Sequence, residues 1–492
     1  RQAALRAALV YILEGQVGEA DGAHDDADGG KRFNGARGTE RVLSNLVGEP
    51  TSSAQPLNSA ILPPPVSSGW QSGSAPAPGS TRIVAVLNGG GPAPGLNGVI
   101  NAVTLAARAR GWTVLGVPKG YSQLMKGDLS QVKELTEADV AGIETQGGSI
   151  LYTSRANPTK KPEDMAKVVE SLAKLGVTDL VTIGGDDTAT SGMKAAQAAG
   201  GKIRVAHVPK TIDNDLPLPA EAPTFGFETA KQLGAQLCRN LRVDAKTTGR
   251  WYLVSAMGRS AGHLAVSMCI GSGSDLVVIP EEFPAGSIKL AAIADLVEAS
   301  LVKRKAAGLD WGLVVLAEGL LDRLEPAELK ASVGTLELDE HGNPRMSEVD
   351  LGRVVRDVLN ARFKARGLDV GFITKIIGYE LRCADPCAFD VQYTRTLGSG
   401  AVEFLATGKG DALIALVDGK TVPLRFEDLR DPKTGKVAIR RVDVQGALWR
   451  NALPLQARIQ PADVQGDGLA RLAKAGKLSA VQAKALFAPL AR

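Results

Sequence analysis

From Arg82 onward the chain alternates short apolar, β-branched runs with longer stretches of helical periodicity. Apolar runs of about four to eight residues read as strands buried on both faces, and the stretches between them as covering helices. The first run, Arg82–Leu87, enters a glycine-rich turn at 88–95, and a helical stretch follows over 96–110. Trp112–Val117 then completes a βαβ unit. The pattern recurs at Asp179–Ile183, Lys202–Val208, Trp251–Ser255, Asp275–Ile279, Trp311–Leu316 and Gly371–Ile377. This alternation predicts an α/β fold of two Rossmann-like lobes with largely parallel sheets, meeting near Leu253 to Pro280 with a cleft between them. Ligands in such folds gather where loops leave the carboxyl ends of strands. The folded region is expected to span 81–455, with a helical C-terminal tail over 456–492.

The residues before it carry a different pattern. Arg1 to Glu14 could form a short amphipathic helix of transit-peptide composition, but the acidic stretch Asp21 to Asp28 argues against that reading. Glu49 to Ser80 is rich in Pro, Ser, Gly and Ala and contains Pro63-Pro64-Pro65, the composition of a disordered linker. Residues 1–80 are therefore expected to be an extension and linker outside the fold.

Composition narrows the function classes. With 44% hydrophobic and 22% charged residues the chain is an ordinary globular one, and its 56 glycines imply many tight turns and close backbone approaches. A net charge of +4 is compatible with anionic small substrates, and no basic block or aromatic-basic stripe points to nucleic acid. Cys238, Cys269, Cys383 and Cys387 are too few for a disulfide scaffold and form no CxxC pair, while the four histidines are scattered. No apolar run approaches the ~18 residues of a membrane span. A reducing, cytoplasmic setting is expected.

Three polar segments follow predicted strands. The turn Gly89-Gly90-Gly91-Pro92-Ala93-Pro94-Gly95 lies between strand and helix, where bare backbone and a helix N-terminus can meet an anion. The same turn would also serve merely to pack strand against helix. Gly184-Gly185-Asp186-Asp187-Thr188 sets two carboxylates side by side, which requires a cation, a donor network or solvent. Mg²⁺ uses one or two carboxylates plus phosphate oxygens, whereas an N-cap role for Asp187 or Thr188 is the plainer alternative. In Pro209-Lys210-Thr211-Ile212-Asp213-Asn214-Asp215 the two aspartates share one side of an extended loop. A carboxylate there could accept a hydroxyl proton and Lys210 could stabilise phosphoryl charge, although an Asx-rich surface turn would look alike.

Together these segments resemble the phosphofructokinase family, from about Arg82 to about Val444. Gly147-Gly148-Ser149-Ile150-Leu151-Tyr152-Thr153-Ser154-Arg155 is similar to the family's phosphate-contacting segment, and Met257-Gly258-Arg259, Glu318-Gly319 and Gly378-Tyr379-Glu380-Leu381-Arg382 follow in family order. The resemblance implies phosphoryl transfer to the 1-hydroxyl of fructose 6-phosphate, in glycolysis or gluconeogenesis. By it, Asp213 is the general base and Thr211 and Ile212 lie beside it in the sugar-phosphate site. Asp186 is the Mg²⁺ carboxylate, and Gly90 and Arg155 meet the donor phosphates. Met257, Gly258, Arg259, Glu318, Tyr379, Glu380, Leu381 and Arg382 hold the sugar phosphate. Arg250 stands where the family often sends an arginine into a neighbouring subunit, which implies a homodimer or homotetramer; a plain surface arginine is the alternative.

The donor is read from Asp187 and Lys210. ATP-using members usually carry glycine at both positions, whereas Asp and Lys mark the pyrophosphate-dependent branch. Asp187 would put charge and bulk where the α-phosphate of a nucleotide would lie, and Lys210 would compensate charge on pyrophosphate. Many relatives have Gly-Gly-Asp where this chain has Gly91-Pro92, a departure that touches the donor contacts. An ATP-dependent enzyme is the nearest rival. A non-catalytic regulatory subunit is disfavoured because Asp186, Asp213 and Arg259 are all present, and a dehydrogenase because the glycine turn does not match GxGxxG.

Overall fold

The computed structural model describes residues 82–333, 348–435 and 437–491, so the expectations for residues 1–80 lie outside the described residues. β1 (Ile83–Asn88) leads into α1 (Leu96–Arg108), β2 (Thr113–Val117), α2 (Tyr121–Lys126) and the two-residue β3 (Lys133–Glu134). α3 (Pro162–Lys174), β4 (Asp179–Gly184), α4 (Asp186–Ala198) and β5 (Arg204–Pro209) continue the first lobe. The long α5 (Phe227–Thr248) carries the chain to the second, where β6 (Trp251–Ala256), α6 (His263–Ser272), β7 (Leu276–Val278), α7 (Leu290–Ala306) and β8 (Gly312–Ala317) follow. α8 (Pro326–Val333), α9 (Leu351–Ala365) and β9 (Phe372–Ile377) finish that lobe. α10 (Tyr379–Arg382) and α11 (Ala388–Ala406) then return the chain to the first lobe, which β10 (Ala412–Val417) and β11 (Lys420–Arg425) complete. α12 (Ala447–Ala452), α13 (Gly466–Gly476) and α14 (Ala480–Phe487) end the described chain.

The first sheet has the order β11-β10-β5-β4-β1-β2-β3 and the second β7-β8-β6-β9. All pairings are parallel except β10–β11 and β2–β3 at the edges of the first sheet. Every residue of β4, β6 and β8 is buried, because helices cover both faces, and this is why these strands read as largely apolar runs. β9, at an edge, alternates between exposed and half-buried positions instead.

Charge also fixes the first sheet. Asp179 is fully buried and is gripped by Arg82 and by Arg204, each through two N–H groups. A buried carboxylate is tolerable only when paired in this way, so β1, β4 and β5 are held in register at their amino ends. The C-terminal helices are integral to the second lobe: Leu472, Ala473, Ala483 and Phe487 complete its core against α7 and α9. Among the described residues no helix is long and apolar enough to cross a membrane.

Candidate active site

Loops from the carboxyl ends of β1, β4 and β5 meet loops from the carboxyl ends of β6, β8 and β9. The glycine turn after β1 is pinned by the Gly89 amide donating to Ile183 O at 2.8 Å and the Gly90 amide donating to Ser154 O at 2.9 Å. Gly90 has φ 80°, a conformation that favours glycine. The Lys210 Nζ lies 3.5 Å from where a Cβ would stand, an ordinary contact, so the backbone angle rather than crowding calls for glycine here. Arg155 follows directly after this bridge and is exposed.

At the end of β4 the N-cap of α4 is Gly185 and no side chain caps the helix. The N-cap reading for Asp187 or Thr188 is thereby corrected: Asp186 and Asp187 are the first two helical residues, and the Thr188 side chain is buried beneath Gly89 and Gly184. A methyl on either glycine would overlap Thr188, which explains Gly184, the first residue of the motif, by packing. Asp186 is half-buried and Asp187 exposed, both at a helix end that favours negative charge.

The segment after β5 is a turn rather than the extended loop expected. Asn214 sits at φ 56°, and its Oδ1 accepts from the Thr224 amide at 3.1 Å. Thr211 Oγ1 accepts from the Asp213 amide at 3.0 Å, and Thr224 Oγ1 donates to Thr211 O at 2.7 Å. The turn still brings Asp213 and Asp215 into each other's field. Lys210, 5% exposed, donates from its ammonium to Gly91 O at 2.5 Å.

From the second lobe, the Arg259 amide donates to Asp213 Oδ2 at 3.3 Å, joining the loops of the two lobes. Glu318 Oε2 accepts from the Gly258 amide at 3.0 Å, and Glu380 Oε2 accepts from the Gly378 amide at 3.0 Å. The Arg382 guanidinium lies 4.9 Å from the centroid of the exposed Tyr379 ring, and its Cζ is 3.3 Å from where a Cβ on Gly91 would stand. The side chains of Ile212, Met257 and Leu381 are buried in the core beneath the site, so they offer a ligand only backbone. Arg250 precedes β6 while Arg259 follows it, roughly 20 Å apart along the strand.

The electrostatics fit a site for polyanions. Burial raises the Asp213 carboxyl, opposed by the Arg259 amide and by the charges of Arg382, Lys210 and Arg259. Burial together with the charges of Asp213 and Asp186 pushes Asp215 up to about 8, although Thr211 donates to it. Burial, and then the charge of Asp213, pushes Glu318 up to about 7. Lys210 is pushed down to about 8 by burial and by Arg382. Among the described residues no three His, Cys, Asp or Glu side chains stand together as a ready metal cage. Asp186 and Asp213 each act on Asp215 through their charge, and carboxylate oxygens of this hard kind are what Mg²⁺ takes, one or two at a time, beside water and phosphate.

Asp215 belonged to the motif but received no role in the sequence reading, and its coupling to Asp213 emerges only once the turn is folded. Arg440 was missed altogether: it donates to Asn214 O at 3.1 Å and to Ala222 O at 3.0 Å. Its partners are backbone carbonyls far away in sequence, so no sequence motif announces it.

A two-lobed α/β fold whose loops present carboxylates, arginines and a buried lysine to one another defines a phosphate-handling enzyme of the phosphofructokinase kind. The chain belongs to the phosphofructokinase family, whose profile, described as Phosphofructokinase, matches residues 83–405. It is 49% identical over 409 residues to the pyrophosphate–fructose 6-phosphate 1-phosphotransferase of Naegleria fowleri, covering 81% of this chain and 94% of that one. It is 44% identical over 384 residues to the protein of the same name from Thermotoga maritima, covering 77% of this chain and 91% of that one. The crystal structure of a pyrophosphate-dependent phosphofructokinase from Marinobacter aquaeolei superposes with TM-score 0.57 at 16% identity, over 76% of this chain and 91% of that one, a likeness of fold.

Proposed function

We propose that this protein transfers a phosphoryl group from pyrophosphate to the 1-hydroxyl of D-fructose 6-phosphate, reversibly, giving fructose 1,6-bisphosphate and phosphate. The observation that carries the reading is the Asp213 carboxylate, held by the Arg259 amide within the field of Lys210, Arg259 and Arg382. A base must meet its hydroxyl where phosphate charge is being neutralised, and this one group satisfies both demands.

Burial makes Asp213 a stronger base than a solvated aspartate, so it takes the 1-hydroxyl proton as the oxygen attacks phosphorus. Arg259 and Arg382 hold the sugar's 6-phosphate, for which planar guanidinium forks are suited. Thr211, Ile212, Met257, Gly258, Glu318, Tyr379, Glu380 and Leu381 enclose the sugar, Ile212, Met257 and Leu381 through backbone alone. Gly90 and Arg155 meet the diphosphate, and Lys210 stabilises the charge that develops as it is cleaved. Asp186 would hold Mg²⁺ together with pyrophosphate oxygens, and the ion supplies charge neutralisation and orientation of the phosphates. Asp187, exposed beside Asp186 on the first turn of α4, sets the donor preference against nucleotide. The wide separation of Arg250 from Arg259 means that Arg250 can serve a sugar-phosphate site only in a second subunit, which supports a homo-oligomer.

The test is fructose 1,6-bisphosphate formation by the full chain with Mg²⁺ and either pyrophosphate or ATP, in wild type and in Asp213→Asn. Turnover with pyrophosphate, lowered about 10²- to 10⁴-fold in the variant, is the expected result. Asp213→Asn with near-normal turnover would sink the assignment of the base, and activity with ATP alone would sink the donor.

A further inference from the structure

Between β11 and α12 the chain crosses from the first lobe to the second: Val437 packs in the first lobe's core and Val442 in the second's. Three consecutive residues of this crossing grip the two loops that make the site. Arg440 takes the turn after β5. Its amide donates to Asp215 O at 2.7 Å, and its guanidinium donates to Asn214 O, to Asn214 Oδ1 and to Ala222 O. Arg441 donates to Ser260 O at 3.2 Å, one residue beyond Arg259. The Val442 amide donates to Glu281 Oε1 at 3.1 Å, and the same oxygen accepts from the Gly262 amide at 2.9 Å. His263, next in the second-lobe loop, is hydrogen-bonded to the backbone of Arg440.

From this geometry we propose that Arg440 is a positioning residue for the transfer reaction, holding Asn214 in its left-handed turn so that Asp213 stays against the Arg259 amide. The inference rests on the phosphotransferase reading above. Asn214 stands between Asp213 and Asp215 at φ 56°, where a side chain is tolerated only if its surroundings enforce it. Two donors enforce it here, the Thr224 amide and the Arg440 guanidinium, both on Asn214 Oδ1. Arg440 also donates to the carbonyls of Asn214 and Ala222. Its fixed fork of N–H groups reaches several acceptors at once; a lysine offers one ammonium and cannot span them. The Arg440 guanidinium donates to Asn214 and Ala222, so its effect on the reaction passes through the turn.

A group that places the base without binding substrate should lower kcat and spare KM. Wild type, Arg440→Lys and Arg440→Ala are compared as full chains with fructose 6-phosphate, Mg²⁺ and pyrophosphate, with active-site concentration corrected for the folded fraction. In Arg440→Lys the expected kcat is about 10- to 100-fold lower, because displacing a reacting group by about an ångström has that effect, while KM for pyrophosphate stays within about twofold. In Arg440→Ala, added guanidinium at millimolar concentration restores part of kcat and leaves wild type unchanged. If Arg440→Ala does not fold, Arg440→Lys alone decides the matter. An unchanged kcat per folded molecule, or a loss confined to KM, overturns the inference. A silent wild type overturns instead the reaction on which it rests.

Discussion

The Lys210 ammonium donates to the Gly91 carbonyl at 2.5 Å, so a side chain from the loop after β5 ties down the turn after β1. Lys210 is 5% exposed, and its ammonium lies 3.5 Å from where a Cβ on Gly90 would stand. A lysine brought this close to the turn is both a brace and, with Arg382 beside Gly91, a cation for a phosphate that settles there.

Lys210→Met should therefore keep the fold and lose turnover. Removing one preorganised charge from a transition state commonly costs about 10²- to 10³-fold in kcat. Because burial and Arg382 push Lys210 down to about 8, it is cationic below that pH and loses its charge above it. The expected wild-type profile for pyrophosphate accordingly falls on the alkaline side of about 8, and the profile of Lys210→Met lacks that limb. Steady-state rates between pH 6 and 10 decide it.

Asp187 is exposed on the first turn of α4 and caps nothing, so its replacement should be structurally silent. Asp187→Gly is expected to admit ATP as donor while weakening pyrophosphate use by about tenfold or more, as a repulsive element is removed. The ratio of kcat/KM for the two donors is the measurement, and an unchanged ratio would remove Asp187 from donor choice.

Glu318 gives a stability prediction with a definite sign. Burial and Asp213 push it up to about 7 from an ordinary value of 4.5, so the folded state holds a proton that the unfolded chain has already released. Below about 4.5 both states are protonated and there is no effect; as pH rises through 7 the folded state loses stability. Glu318→Gln mimics the protonated form and should stabilise the ligand-free protein at pH 8 but not at pH 4.5. For this half-buried group the gain is about 1–2 kcal/mol, below the roughly 3–4 kcal/mol that the full shift from 4.5 to about 7 would imply. Thermal midpoints of the two proteins across that range would test it.

Gly147 lies against the Cys383 and Ala384 carbonyls, next to Arg382, and its amide donates to Asp385 Oδ1 at 2.8 Å. A methyl there would overlap backbone, which cannot swing aside as a long side chain can. Gly147→Ala is expected to displace Arg382 and raise KM for fructose 6-phosphate by about tenfold, the scale of one weakened charge-assisted hydrogen bond. KM for pyrophosphate should change less; equal changes in both would point to a general loosening.

Much of the fold was legible because its signals are local. A strand covered on both faces is apolar at most positions, and β1, β4, β6 and β8 announce themselves in that way. The sequence could place Asp186, Lys210, Asp213 and Arg259 at the carboxyl ends of strands for a related reason: each follows its strand by a few residues, where spacing along the chain is nearly spacing in space. Tertiary structure decided the rest. That β10 and β11 join the first sheet after the chain has built the second depends on a crossing that no local pattern encodes. The left-handed turn at Asn214, where an extended loop was expected, is enforced by Thr224 and Arg440 from ten and 226 residues away. The coupling of Asp213 to Asp215, and the grip of Arg440 on backbone carbonyls, follow from that turn. A carbonyl is the same in every residue, so sequence can name the arginine but only the fold can say which carbonyls it finds.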